Sequence, residues 1–206
     1  YVINFKVLFY DSKELIPFNW FHPRNYKLYS ESTFKTDYIS EGAVAFRKEI
    51  FEKAGYYPEE FFLGHEGYDL AYRIIDNGYN IIYNHTIEVL HKCSHRQRTT
   101  WRNTYFDTRN QFWLLIRHFP IPVLIELTIF KLATTFAFAV SDRQIKWYFR
   151  ALYDSLLGLP VQLRKRKVLG RKAIKELKEL RRLSPGLIDR TMLFLQKSSI
   201  RNRELK

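Results

Sequence analysis

Near residue 100 the pattern of the chain changes, and this change limits the fold more than any single motif. From Trp101 onward the apolar spacing predicts helices over roughly 101–118, 122–140, 142–157, 170–183 and 186–197, punctuated by Pro120, Pro122, Pro160 and Pro185. The earlier part is mixed. Val2–Phe9 reads as a strand, Asp11-Ser12-Lys13-Glu14 as a turn, and 17–38, rich in Pro, Asn and aromatics, as an ordered loop. Ser40–Phe46 reads as a short buried strand or a turn containing Gly42, and Arg47–Ala54 as a helix stopped by Gly55. Tyr68–Asn77 reads as a helix with Leu70, Ile74 and Ile75 inward and Gly78 at its end; Asn80–Tyr83 and Thr86–Leu90 are β-like. The expected fold class is α/β followed by all-α, divided as 1–100 and 101–206.

Within the helical part, Ile121–Val140 holds eleven Leu, Ile, Val or Phe residues. Their insertion free energy, roughly −3 to −7 kcal/mol, is offset by about +5 to +7 kcal/mol for Glu126 and Lys131. The stretch therefore reads as a helix packed in a bundle or lying at a membrane surface rather than as a span. Charge is uneven: Arg164–Lys206 has fifteen basic and four acidic residues, +11 of the total +13. Such a run suits an anionic membrane surface or simply a solvated helix face. Nucleic acid is not the expected partner, because the run lacks interleaved aromatics and any recognisable binding fold. Cys93 is the only cysteine, so no intrachain disulfide exists, and His91, Cys93 and His95 make a poor zinc set. Asn84-His85-Thr86 matches a glycosylation sequon, a pattern too short to carry weight.

The segment Phe61-Phe62-Leu63-Gly64-His65-Glu66-Gly67-Tyr68-Asp69-Leu70-Ala71-Tyr72-Arg73 carries the clearest chemistry. Glu66 and Asp69, at i and i+3, share a face at the mouth of a helix. A carboxylate there either serves as a general base or complements the helix dipole, the latter worth roughly 0.3–1 kcal/mol.

Several segments in order resemble the family 2 glycosyltransferases of bacterial cell-surface polysaccharide synthesis. Ser40-Glu41-Gly42-Ala43-Val44-Ala45-Phe46-Arg47 is similar to the family's Gly-Ala segment and basic helix start, and Ala54–Phe62 to its Gly-aromatic-acidic, Phe-Phe stretch. Glu66-Gly67-Tyr68-Asp69-Leu70-Ala71-Tyr72-Arg73 resembles the Glu-Asp-x-Asp-Leu-x-x-Arg motif, with Gly67 in place of its second acid. Asn77–Tyr83, Leu90-His91-Lys92, Thr108-Arg109-Asn110 and Arg117-His118-Phe119-Pro120 resemble the elements that follow. The likeness covers about residues 38–120.

The resemblance implies the C-terminal part of a nucleotide-diphospho-sugar transferase (GT-A type) fold with a helical C-terminal extension. It implies inverting transfer from a nucleotide-sugar donor to a glycan or lipid-linked acceptor, at the cytoplasmic face of the bacterial inner membrane. Glu66 is the favoured base, Asp69 the alternative, and His91 meets a divalent cation (Mn or Mg) or the diphosphate. Gly42, Arg47, His65, Tyr68, Arg96, Arg98, Trp101 and Arg109 fall on the substrate side. Alternatively, Arg109 only anchors its helix, Trp101 belongs to a core and His91 is a hydrogen-bonded core histidine. Chain start at Tyr1, a single methionine at position 192 and the lack of Asp-x-Asp lead us to expect an upstream half carrying the metal motif. A non-catalytic relative is the main competing reading, suggested by Gly67.

Overall fold

A computed structural model describes residues 1–92 and 100–184 of the chain. It is α/β followed by all-α: a small mixed sheet with short helices comes first in sequence, and a helical region follows. Two compact units share the chain. The first comprises 1–55, 73–97 and 171–206, the second 56–72 and 98–170.

The sheet of the first unit has four strands in the order β2-β4-β1-β3: β1 (Val2–Phe9), β2 (Phe34–Lys35), β3 (Val44–Phe46) and β4 (Ile81–His91). β1 runs parallel to β4, while β3 and β2 lie antiparallel at the two edges. The two β-like segments expected at 80–90 are one strand. Its register against β1 jumps from Phe5↔Asn84 to Lys6↔Glu88, so the polar Asn84–Thr86 stretch is a bulge rather than a break. Alternate residues of β1 are buried, which places Asn4 inward. Its side chain is satisfied there, donating to the Tyr38 carbonyl at 2.9 Å and accepting from the Ser40 amide at 2.7 Å.

The stretch 17–38 is ordered by aromatic packing. Trp20, His22, Phe34 and Tyr83 meet with ring centroids 4.8–6.0 Å apart. The stretch also contains a one-turn helix, α1 (Tyr26–Tyr29), started by the Asn25 side chain accepting from the Lys27 amide. Helix α2 (Lys48–Ala54) ends at Gly55, whose φ of 76° suits glycine, and Arg73 donates to the Ala54 carbonyl beside it.

Helix α3 (Glu66–Asp76) begins two residues before the predicted start. The Asp69 amide reaches the His65 carbonyl at 3.0 Å, so the helical bonding already includes the turn at Gly64 and His65, both at positive φ. Leu70, Ile74 and Ile75 are buried as the spacing predicts. The chain passes from the second unit to the first within α3, after Tyr72.

The second unit contains α4 (Thr100–His118), α5 (Ile121–Ser141), α6 (Ile145–Leu157) and α7 (Leu159–Arg164). α6 starts three residues later than predicted, because Asp142–Gln144 form a turn with Arg143 at φ 56°. Pro160, expected as a break, sits in the first turn of α7, where a missing N–H costs no helical bond. Trp113 donates to the Ser155 carbonyl at 3.0 Å, and a Cβ on Gly158 would lie 2.4 Å from its ring, so this close approach requires glycine. In the first unit, α8 (Arg171–Arg182) buries Ala173, Leu177 and Leu180 and pairs Arg181 with the buried Asp37. The helix predicted at 186–197 lies outside the described residues.

Candidate functional site

In the second unit, the turn 60–64 carries His65 and Glu66, and α4 holds that turn in shape. Asn110 is fully buried, and its side-chain amide faces the carbonyls of Phe61, Leu63 and Gly64, each at 2.8 Å. Arg109 donates to the Glu60 and Phe61 carbonyls at 3.1 Å and to the Asn110 side chain at 3.0 Å. Its guanidinium also lies over Trp113, 4.3 Å from the ring centroid. These side-chain donors serve backbone carbonyls of a turn that makes few backbone bonds of its own. Arg109, expected on the substrate side, is thus committed to backbone oxygens and aromatic faces.

A second set of bonds ties down Asp69. This carboxylate is buried, 2.8 Å from His118 Nε2 and 3.3 Å from Arg117 Nη1. Arg117 also bonds Gln162 at 2.7 Å and pairs with Glu60, which Lys165 joins at 2.6 Å. The Arg117-His118 pair named in the sequence therefore anchors the first turn of α3.

Among the described residues, Glu66 has no such partners. Its Oε2 is buried without a hydrogen bond, and burial raises the pKa of the carboxyl, with a backbone hydrogen bond working the other way. An acid left in that state is a poor structural element and a good proton acceptor.

Asp107, which the sequence reading passed over, faces the same turn. Its Oδ1 is 3.8 Å from His65 Nε2 and would be 3.0 Å from a Cβ on Gly64. Its side chain is 58% exposed. Burial, then the charge of Glu66, pushes it up to about 7, while Lys131 pulls it down. Solvent on the open side of this carboxyl weakens the first of these causes. The available signal was its position: Asp107 immediately precedes Thr108-Arg109-Asn110, one helical turn before Asn110.

The remaining candidates divide between the units. Tyr68 is half-buried beside His65, with ring centroids 5.8 Å apart. Trp101 stacks on Trp147 at 4.3 Å, a packing contact between α4 and α6. In the first unit, Gly42 is exposed in the turn before β3, and Arg47 lies over the Tyr1 ring at the start of α2. His91 closes β4, its carbonyl accepting from the Tyr10 amide at 3.1 Å. Arg96 and Arg98, with Cys93 and His95, lie outside the described residues. Among the described residues, no group of three or more His, Cys, Asp or Glu side chains is placed to hold a metal ion.

No family model, curated protein or solved structure matches this chain.

Proposed function

We propose that the chain is the acceptor-side part of an inverting glycosyltransferase of the family 2 type, with a GT-A type nucleotide-sugar transferase fold. The observation that carries this reading is the state of Glu66: a carboxylate at the start of α3, raised in pKa, with one buried oxygen unpaired. The ordered family-like segments around it supply the reaction class. In that reaction the acceptor hydroxyl attacks the anomeric carbon of a nucleotide-sugar donor. Its proton passes to the Glu66 carboxylate, the bond from sugar to diphosphate breaks, and the nucleoside diphosphate leaves with the bonding electrons.

Asp107 belongs to the same site in this reading. Its charge and that of Glu66 repel, which keeps one of the two carboxyls protonated more readily than an isolated acid. Asp69 is assigned a positioning role, since its carboxylate is bonded to Arg117 and His118. A divalent cation, Mn²⁺ or Mg²⁺, would counter the charge of the leaving diphosphate. The described residues supply no ligand set for one, and no step here depends on it. The acceptor is a glycan or lipid-linked glycan at the cytoplasmic face of the bacterial inner membrane. Gly67, where the family has an acid, favours a second reading: a non-catalytic relative that only binds such ligands.

The test is sugar-nucleotide hydrolysis by the full-length protein with Mn²⁺ or Mg²⁺ over a panel of donors, with Glu66→Gln in parallel. Turnover of one donor that falls about 10²–10⁴-fold in the variant supports the reading. Donor binding without turnover supports the non-catalytic relative, and no binding of any donor overturns both.

A further inference from the structure

α5 is long and apolar, with a mean hydropathy of 1.8, yet only 6% of its most apolar window is buried. Most of its exposed apolar residues form one row, with Phe130 and Phe138 on other sides and the exposed Glu126 beside Ile129. Ile121, Ile125, Ile129 and Phe136 follow the helical repeat and share one side, and Ile129 is 67% exposed. On α6, Ile145, Phe149, Tyr153 and Leu156 do the same, and Phe149 is 57% exposed. These two faces join, because Phe136 and Phe149 touch with ring centroids 6.3 Å apart. Leu157, Val161 and Leu163 continue the exposed apolar surface into α7. A patch built from three consecutive helices exceeds what a soluble monomer ordinarily leaves in water.

Charge identifies what covers it. Lys146 and Arg150, the latter paired with Asp154, are exposed on α6 along one flank of its apolar face; Arg164 ends α7, and Lys167 follows it with Lys165, which is paired with Glu60. From Ile121 to Gly170 there are eight basic residues and three acidic ones. An apolar face bordered by cations matches a bilayer with anionic headgroups better than the face of another protein copy, which would carry the same charge.

The position of Lys131 decides how the bilayer is met. It lies at the middle of α5, on the packed side, and its charge acts on Asp107 of α4, which is open to solvent. Were α5 to cross a membrane, both groups would stand near the hydrocarbon centre, where charges are costly. Lying flat, α5 immerses the Ile121–Phe136 side and leaves Lys131 and Asp107 toward water.

We propose that the joined outer faces of α5, α6 and α7 form a seat on an anionic phospholipid bilayer, with α5 lying in the plane of the surface. This names the contact surface for the membrane location in the glycosyl-transfer reading. Its test uses no sugar donor, so the two fail separately.

The full chain is floated with vesicles of phosphatidylcholine, with and without phosphatidylglycerol. It is expected to float with the anionic vesicles, about tenfold or more less with the neutral ones, and to be released by alkaline carbonate. Ile125→Ser, Ile129→Ser and Leu157→Ser together are expected to lower partition about a hundredfold, with thermal unfolding little changed because all three are exposed. Lys146→Glu, which removes no apolar surface, is expected to reduce the preference for anionic vesicles. Flotation unaffected by the triple substitution overturns the seat, and retention after carbonate overturns the in-plane placement. Self-association in vesicle-free solution, abolished by the triple substitution, would make a second copy the occupant and overturn the proposal.

Discussion

The Asn110 side-chain amide lies 2.8 Å from the Gly64 carbonyl, so a residue on α4 sets the backbone from which His65 and Glu66 project. The same amide meets the Phe61 and Leu63 carbonyls. Asn110→Leu removes the donor from the part-buried Leu63 and Gly64 carbonyls, while the Phe61 carbonyl keeps Arg109. A loss of about 2–4 kcal/mol in denaturant unfolding is expected, on the cost of unpaired buried polar groups. Asn110→Ser, which keeps a short donor, should recover part of it. A loss under about 0.5 kcal/mol for Asn110→Leu would mean that the turn holds itself.

Asp69 and Glu66 stand one turn apart on α3 and are predicted to respond in opposite ways. Asp69→Ala takes the carboxylate away from buried His118 and from Arg117, which keeps Glu60 and Gln162, and should cost about 3 kcal/mol of stability. Glu66→Gln removes a carboxylate that burial disfavours and should leave stability at pH 7 equal or higher. Urea unfolding of both variants separates these roles before any substrate is known. Equal destabilisation would assign Glu66 to the framework.

That contrast marks how far the sequence could be read. The helix at α3, its inward Leu70, Ile74 and Ile75 and the change to helices near 100 follow from periodicity, which local sequence carries directly. The pairing of Glu66 with Asp69 was equally visible, but their different fates were not. Those fates depend on Arg117 and His118, about fifty residues away, and no local pattern encodes which carboxylate a distant arginine will reach. Asp107 was hidden for the same reason: on α4 it is one more polar residue until the turn at Gly64 is folded against it. Arg109-Asn110 stood out as a pair, and only the structure shows both directed at backbone oxygens.

Asp107 should report on the site through pH. Its folded pKa lies above its unfolded value, so the folded state holds the proton more tightly between the two. The stability this contributes is complete below the unfolded pKa near 4 and is lost as pH rises through the raised folded value. Asp107→Asn should therefore flatten the pH dependence of the melting temperature between pH 4 and 7, with its largest gain on the alkaline side. In the proposed reaction the base is Glu66, so Asp107→Asn, which removes a neighbouring negative charge, should move the rising limb of turnover to lower pH. Carbon-detected titration of the carboxyls measures the value directly, and a normal Asp107 pKa would remove it from the pair.

His22 gives the opposite sign in the first unit. It is buried among Trp20, Phe34, Tyr38 and Tyr83, accepts or donates one hydrogen bond with Thr36 at 2.9 Å, and burial lowers its pKa to about 3. The folded state thus excludes a proton that the unfolded chain takes up near pH 6.5. Stability from this group is complete above that pH and falls as pH drops toward about 3, each pH unit within the window removing about 1.4 kcal/mol at most. His22→Gln keeps a polar partner for Thr36 without the titration. It should lower stability at pH 7.5 but make the protein less sensitive to acid between pH 6.5 and 4, as read by urea unfolding at each pH. Parallel pH profiles for the two proteins would mean that His22 accepts its proton while the aromatic cluster stays folded.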